Sequence, residues 1–381
     1  DLAAAAGVVC AIGRESTALY SEALAGILSP AAYTSGNVDP YVTAGVSGSG
    51  LLPWVDGSGG TVGDGDGRVM TWAYRMFVTT VGADRVAFPA PDATRYAAAL
   101  AAGHFEVIGR AMAVQPAAFD TMAEIFNMYP NALASGYYDM NGKLGITTNY
   151  PNHAELREYV TASHARRLEI RENVKQWILG LLYWIRYSGD VRIPGALVTE
   201  IATYGLCASE LKKYGSFSPE LYVREGRRIV GDFVMRQSNV ALANGYTDEI
   251  GFLMYGFDTP QVRLVDVAGV VKIEGSQLTA LTSSQLGAKI PYRVLLPKAA
   301  ECTNLLAVGC PSVSQVVWRT MRLEPTLMQM GQAAGIAASL AIDQGVTVQN
   351  VSTARLKKLQ DLYETAGATV CCIDPAFGGE V

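Results

Sequence analysis

Apolar positions recur at helical spacing through the middle and C-terminal parts of this chain, whereas its first seventy residues show almost no period. Between Ala154 and Tyr187, Leu156, Val160, Leu168, Trp177, Leu181 and Trp184 fall at three- and four-residue steps, with a charged first half and an apolar second half. That pattern predicts one long helix or two consecutive ones, the second more deeply buried. Pro194 opens a further helical segment to Tyr204, and Pro219 to Gln237 reads as another, placing Arg224 and Arg228 four apart on one face. Two weaker helical segments lie between Pro91 and Tyr129, and a short one precedes Cys10. Thr326 to Ile342 predicts a helix rich in small residues, followed by a terminal helix from Thr353 to Ala366.

Alternation predicts strands around Arg68 to Thr80, Gly251 to Phe257, Gln261 to Ile273 and Lys289 to Leu296, with an apolar strand from Asn304 to Gly309. Gly26 to Gly67 is crowded with Gly, Pro, Ser and Asp and reads as loop, and Asn141 to Pro151 is turn-rich. The fold class is therefore mixed α and β with an irregular front half. No internal repeat of twenty to fifty residues is present.

Composition narrows the function classes. The 381 residues are 50% hydrophobic and 17% charged, with a formal net charge of -5, which fits a large core under a weakly charged surface. A mildly acidic chain without a Lys/Arg block offers little to a phosphate backbone, so nucleic acid is not an expected partner. No apolar run reaches eighteen residues, which argues against a membrane span. Three histidines and six scattered cysteines form no zinc pattern; Cys371 and Cys372 are either a vicinal disulfide or two apolar neighbours. Low lysine content, the sequon at Asn350 and the start at Asp1 fit a processed, secreted protein, although unbridged cysteines also suit a cytoplasm.

Chemistry concentrates in three places. The segment Asn304 to Gly335 joins an apolar stretch ending at Gly309 to a helix opened by Pro325, whose Gly331, Ala334, Gly335 and Ala338 leave one face nearly bare. Such a face packs closely against a sheet or a cofactor, and the first turn of its helix favours negative charge. Arg224, Arg227 and Arg228 crowd around Glu225, to grip an anionic ligand or to form internal ion pairs. Arg14 with Glu15, and Tyr292 with Arg293 in a strand after Pro291, are packing locks or site contacts. No Gly-x-Ser-x-Gly elbow or Walker loop exists, and no histidine has the context of a catalytic base.

At these residues the sequence resembles the FAD-dependent oxidoreductases with a glutathione-reductase-type FAD fold, often labelled xanthan-lyase-like. The resemblance rests on Asp1 to Gly7 with Gly13-Arg-Glu15 and Tyr20, on Tyr74-Arg75-Met76, on Tyr222 to Gly231, on Pro291-Tyr-Arg293, and on Asn304 to Gly335. It implies the C-terminal part of a Rossmann-like flavoprotein. Residues 1–30 and 291–381 would belong to the FAD-binding domain, and residues 31–290 to a substrate or cap domain with a helical insertion. Family members carry a Gly-x-Gly-x-x-Gly turn for the pyrophosphate. This sequence has none, which implies a separate N-terminal FAD-binding fragment or chain, with a higher oligomer also open.

The resemblance further implies hydride transfer from an alcohol or amine C–H of a small, anionic substrate to the flavin. It assigns Arg14, Gly309, Arg319, Pro325, Thr326, Leu327 and Gln332 to the cofactor, and Tyr292, Arg293 and Arg322 to catalysis. A carbohydrate-active lyase, or a binding subunit that kept the fold without the chemistry, are the alternatives.

Overall fold

The computed structural model describes residues 1–365 except Ser58, Gly59, Leu133 and residues 144–146. Cys371 and Cys372 lie outside the described residues, as does the last position of the expected terminal helix. The chain is a mixed α/β protein. Its largest sheet is antiparallel and five-stranded, in the order Arg85–Val86, Gly205–Cys207, Met76–Thr79, Tyr137–Gly142, Phe126–Pro130. A second, four-stranded sheet runs Ala31–Ala32, Val270–Glu274, Arg263–Val267, Val55–Asp56. Gln261 to Ile273 thus folds as a tight hairpin, turned at Ala268 and Gly269, both with positive φ.

The amphipathic stretch after Ala154 forms two helices, His153–Tyr159 and His164–Tyr187. The first stops at Val160, and Ser163 caps the second, its side chain accepting from the Arg166 N–H at 3.3 Å. The apolar second half of the longer helix buries Trp177, Leu181 and Trp184 against Phe105 and the large sheet's core, which also holds Met76, Val78 and Met140. A second core gathers Ile250, Ala288, Ile290, Val316, Met330, Ala337 and Leu340. The small-residue helix spans Glu324–Gln344 and ends at Gly345, whose left-handed conformation lets its N–H and the next satisfy terminal carbonyls.

Three expectations are corrected. Pro219 to Gln237 is extended, not helical: Tyr222 bridges to Ala73, and Arg228–Ile229 pairs with Cys10–Ala11. Here buried polar partners on other segments outweigh the apolar period, and Arg224 and Arg228 do not share a helix face. Asn304 to Gly309 is not a strand; its Ala307 N–H reaches the Leu295 carbonyl as a single loop bond. The strand before Tyr292 stops at Pro291, and Tyr292–Leu295 is a 3₁₀ turn.

Candidate active site

Two consecutive helices fix the site. Gln315–Met321 is capped by Ser314, whose hydroxyl oxygen accepts from the Val317 N–H at 3.2 Å while donating to Glu22 at 2.6 Å. All seven residues of that helix are buried. Its end, Arg322, hands the chain to Leu323, which begins the Glu324–Gln344 helix without a side-chain cap. Leu323 and Glu324, at that uncapped start, line an adjoining cavity; Pro325, next in the chain, carries no N–H.

This cavity, of about 460 Å³, opens between the large sheet, the strand Phe257–Thr259 and the helix start; its wall includes Arg75, Arg224, Arg322, Tyr129, Tyr222 and Tyr255. Arg322 is almost wholly buried. Its Nη2 donates to Asp258 Oδ2 at 2.7 Å and its Nη1 to the Tyr222 hydroxyl at 3.0 Å. Arg75 forks onto Asp139, with Nε to Oδ1 at 3.1 Å. Arg224 differs from both. It donates to the Thr71 carbonyl, to Asn149 Oδ1 at 3.0 Å and to Asn141 Oδ1 at 3.1 Å, all neutral acceptors. Among the described residues it has no carboxylate partner. Its guanidinium lies over the Tyr222 ring at 4.8 Å, and that of Arg75 approaches the same ring at 5.4 Å. Burial first, then the neighbouring Arg322 and Arg75 charges, pull Arg224 down from 12.5 to about 10, with Tyr222 and Asp258 opposing. It stays charged at neutral pH.

The remaining nominated residues fall elsewhere. Arg14 is buried between Asp66 and Glu274, with Nη1 to Glu274 Oε1 at 2.6 Å. Arg319 is buried, donating twice to Gln315 Oε1 at 2.9 and 2.7 Å and once to the Leu24 carbonyl at 2.9 Å. Tyr292 is buried and donates to the Val348 carbonyl at 2.8 Å; burial raises its hydroxyl pKa. Arg293 pairs with Asp248 at 3.2 Å and stacks on Phe233 and Tyr246. Gly309 and Pro325 are exposed, Leu327 and Gln332 half-buried, and Thr326 buried. Of the ten, Arg322 alone lines the cavity, although Pro325, Thr326 and Leu327 follow directly on its helix start. Periodicity gave no sign of Arg75, Asp258, Tyr129 or Tyr255, which come from three separate strand regions.

The family model for FAD dependent oxidoreductases matches residues 1–361. The chain belongs to that family. No curated protein and no solved structure matches it. This flavoprotein therefore takes FAD as cofactor, and its small-residue helix can be tested for fit. A Cβ added at Gly331 or Gly335 would meet nothing within 4 Å, and both lie on an exposed stripe with Met328, Ala338 and Ile342. An uncapped helix start and an open face poor in side chains fit a group that must approach backbone closely. In this oxidoreductase, Pro325, Thr326, Leu327 and the Gly331 face would hold one side of it.

Proposed function

We propose that this flavoprotein oxidises an alcohol or amine C–H of a small anionic substrate, bound in the cavity beside the start of the Glu324–Gln344 helix. The observation that carries the reading is the convergence of Arg75, Arg224 and Arg322 on one cavity at that helix start. FAD, when bound, supplies the hydride acceptor. Arg224 attracts and orients the substrate's negative end, in a site whose buried guanidinium has little competing water. Arg322, anchored by Asp258, fixes the Tyr222 hydroxyl in the cavity wall, where it is placed to exchange the proton of the substrate's O–H or N–H.

The reading includes a separate N-terminal chain or fragment carrying the pyrophosphate-binding glycines. In its support, Met328 is 73% and Ile342 81% exposed on the helix face that bears Gly331 and Gly335, apolar surface that a second body would cover.

The test is the visible spectrum and intact masses of natively purified material, followed by anaerobic mixing with hydroxy and amino acids. Flavin bands, a second fragment of about 10 to 20 kDa, the usual extent of one βαβ-bearing segment, and bleaching by an anionic substrate are expected. Colourless material containing this chain alone would overturn the reading.

A further inference from the structure

The charge balance of the cavity, taken residue by residue, leaves one guanidinium over. Asp139 neutralises Arg75, and Asp258 neutralises Arg322. At the rim, Lys143 and Glu324 carry opposite charges; the Lys143 ammonium donates to the Ala123 carbonyl at 2.7 Å. Arg224 remains, only 4% exposed, with neutral acceptors alone. The equally buried Arg319 has three acids acting on it, Glu225, Glu22 and Glu15, whereas Arg224 has Asp258 alone, which is already bonded to Arg322. A guanidinium out of water with no carboxylate of its own is costly, and the cost is reduced when an anion enters beside it. Tyr129 and Tyr255, 50% and 39% exposed, also line the cavity, Tyr129 with the Arg75 guanidinium over its ring at 5.9 Å.

We propose that a single carboxylate of the ligand completes Arg224, so that the cavity selects monoanions with a flat ring-bearing body set against Tyr129 and Tyr255. The planar guanidinium fork matches a carboxylate, and one uncompensated charge matches one negative charge rather than the larger charge of a phosphate ester. This inference rests on the cavity being the substrate site, and it names the substrate class.

The probes are benzoate, its uncharged shape match benzamide, and phenyl phosphate, titrated calorimetrically into the natively purified protein. Benzoate is expected to bind, with benzamide weaker by about tenfold or more, the usual size of a charge-assisted contact, and phenyl phosphate no tighter than benzoate. Arg224→Gln is expected to erase the preference for benzoate over benzamide. Should that variant not fold, Asp258→Asn frees Arg322 as a second uncompensated cation and is expected to shift preference toward phenyl phosphate. Absence of benzoate binding, equal affinity for benzamide, tightest binding of phenyl phosphate, an unchanged preference in Arg224→Gln, or no shift in Asp258→Asn would each overturn the inference. Colourless protein that still prefers benzoate would remove the oxidoreductase reading and leave the monoanion seat standing.

Discussion

Among single residues, the buried arginines separate by what neutralises them. Arg14 sits in a closed network: Glu274, fully buried, accepts from Arg14, from Arg263 at 3.1 Å and from the Leu28 N–H at 2.8 Å. Without Arg14, Glu274 keeps only Arg263 and Asp66 only Arg68 as ion-pair partners among the described residues, so Arg14→Ala is expected to cost about 3 kcal/mol of stability, read by urea unfolding. Tyr222→Phe removes the acceptor of one Arg322 bond and is expected to cost about 1 kcal/mol, with flavin content unchanged. A loss beyond about 3 kcal/mol would mean that the phenol is mainly structural. The arginines themselves were legible as a cluster around Glu225. Which of them forms an internal pair and which faces a cavity was not, because Arg228 finds Glu15, at 2.7 Å, and Gly13 only through the pairing of two distant strands.

At the scale of elements, local pattern succeeded where the element buries one continuous face. The helices His153–Tyr159 and His164–Tyr187 together fill the expected Ala154 to Tyr187, and Glu324–Gln344 starts and ends two residues outside the expected Thr326 to Ile342, since apolar period and a cap at Ser163 or Gly345 agree there. It failed from Pro219 to Gln237, where Glu225 accepts from the Met70 N–H and from Gln315 Nε2, and the Trp318 indole donates to the Arg224 carbonyl at 2.9 Å. A helix would withdraw those groups from their partners. The bare stripe of Glu324–Gln344 gives a prediction at this scale. Gly331→Ala should stabilise the chain by about 0.5 to 1 kcal/mol, because the new Cβ meets no atom and glycine is a poor helix former. Gly331→Leu should leave the circular dichroism unchanged yet lower the flavin retained on native purification, since its side chain would fill the face assigned to the cofactor and second chain. Full flavin content in that variant would show that neither uses this face.

For the whole molecule, acid stability depends on a group outside the arginine cavity. Among the described residues His153 Nδ1 is buried without a partner, and burial lowers the imidazole pKa from 6.5 to about 4, helped by Arg68 and Arg263 and opposed by Asp56 and Glu274. Burial shifts His104 in the same direction. Between these values the unfolded chain binds the proton that the folded chain refuses, so stability is complete above pH 6.5 and declines as pH falls toward 4. The contribution of His153 is on the order of 3 kcal/mol. Thermal unfolding across that window should show a shallower decline in His153→Gln than in the parent; identical slopes would place the acid sensitivity elsewhere.

The sequence by itself determined the mixed α/β class, the two long helices, and the family through separated motifs in a fixed order, because these follow from local period, capping and glycine placement. It also pointed to Arg322 and to the helix that Pro325 opens. Only the tertiary structure decided that Arg322 shares a cavity with Arg224 and Arg75, that Arg14, Arg319 and Tyr292 are held by buried partners, and that, among the described residues, the cavity's Arg224 bonds no carboxylate. Charge compensation is settled by contacts between residues such as Arg75 and Asp139, or Arg322 and Asp258, sixty-four positions apart in each case. No local pattern encodes that distance.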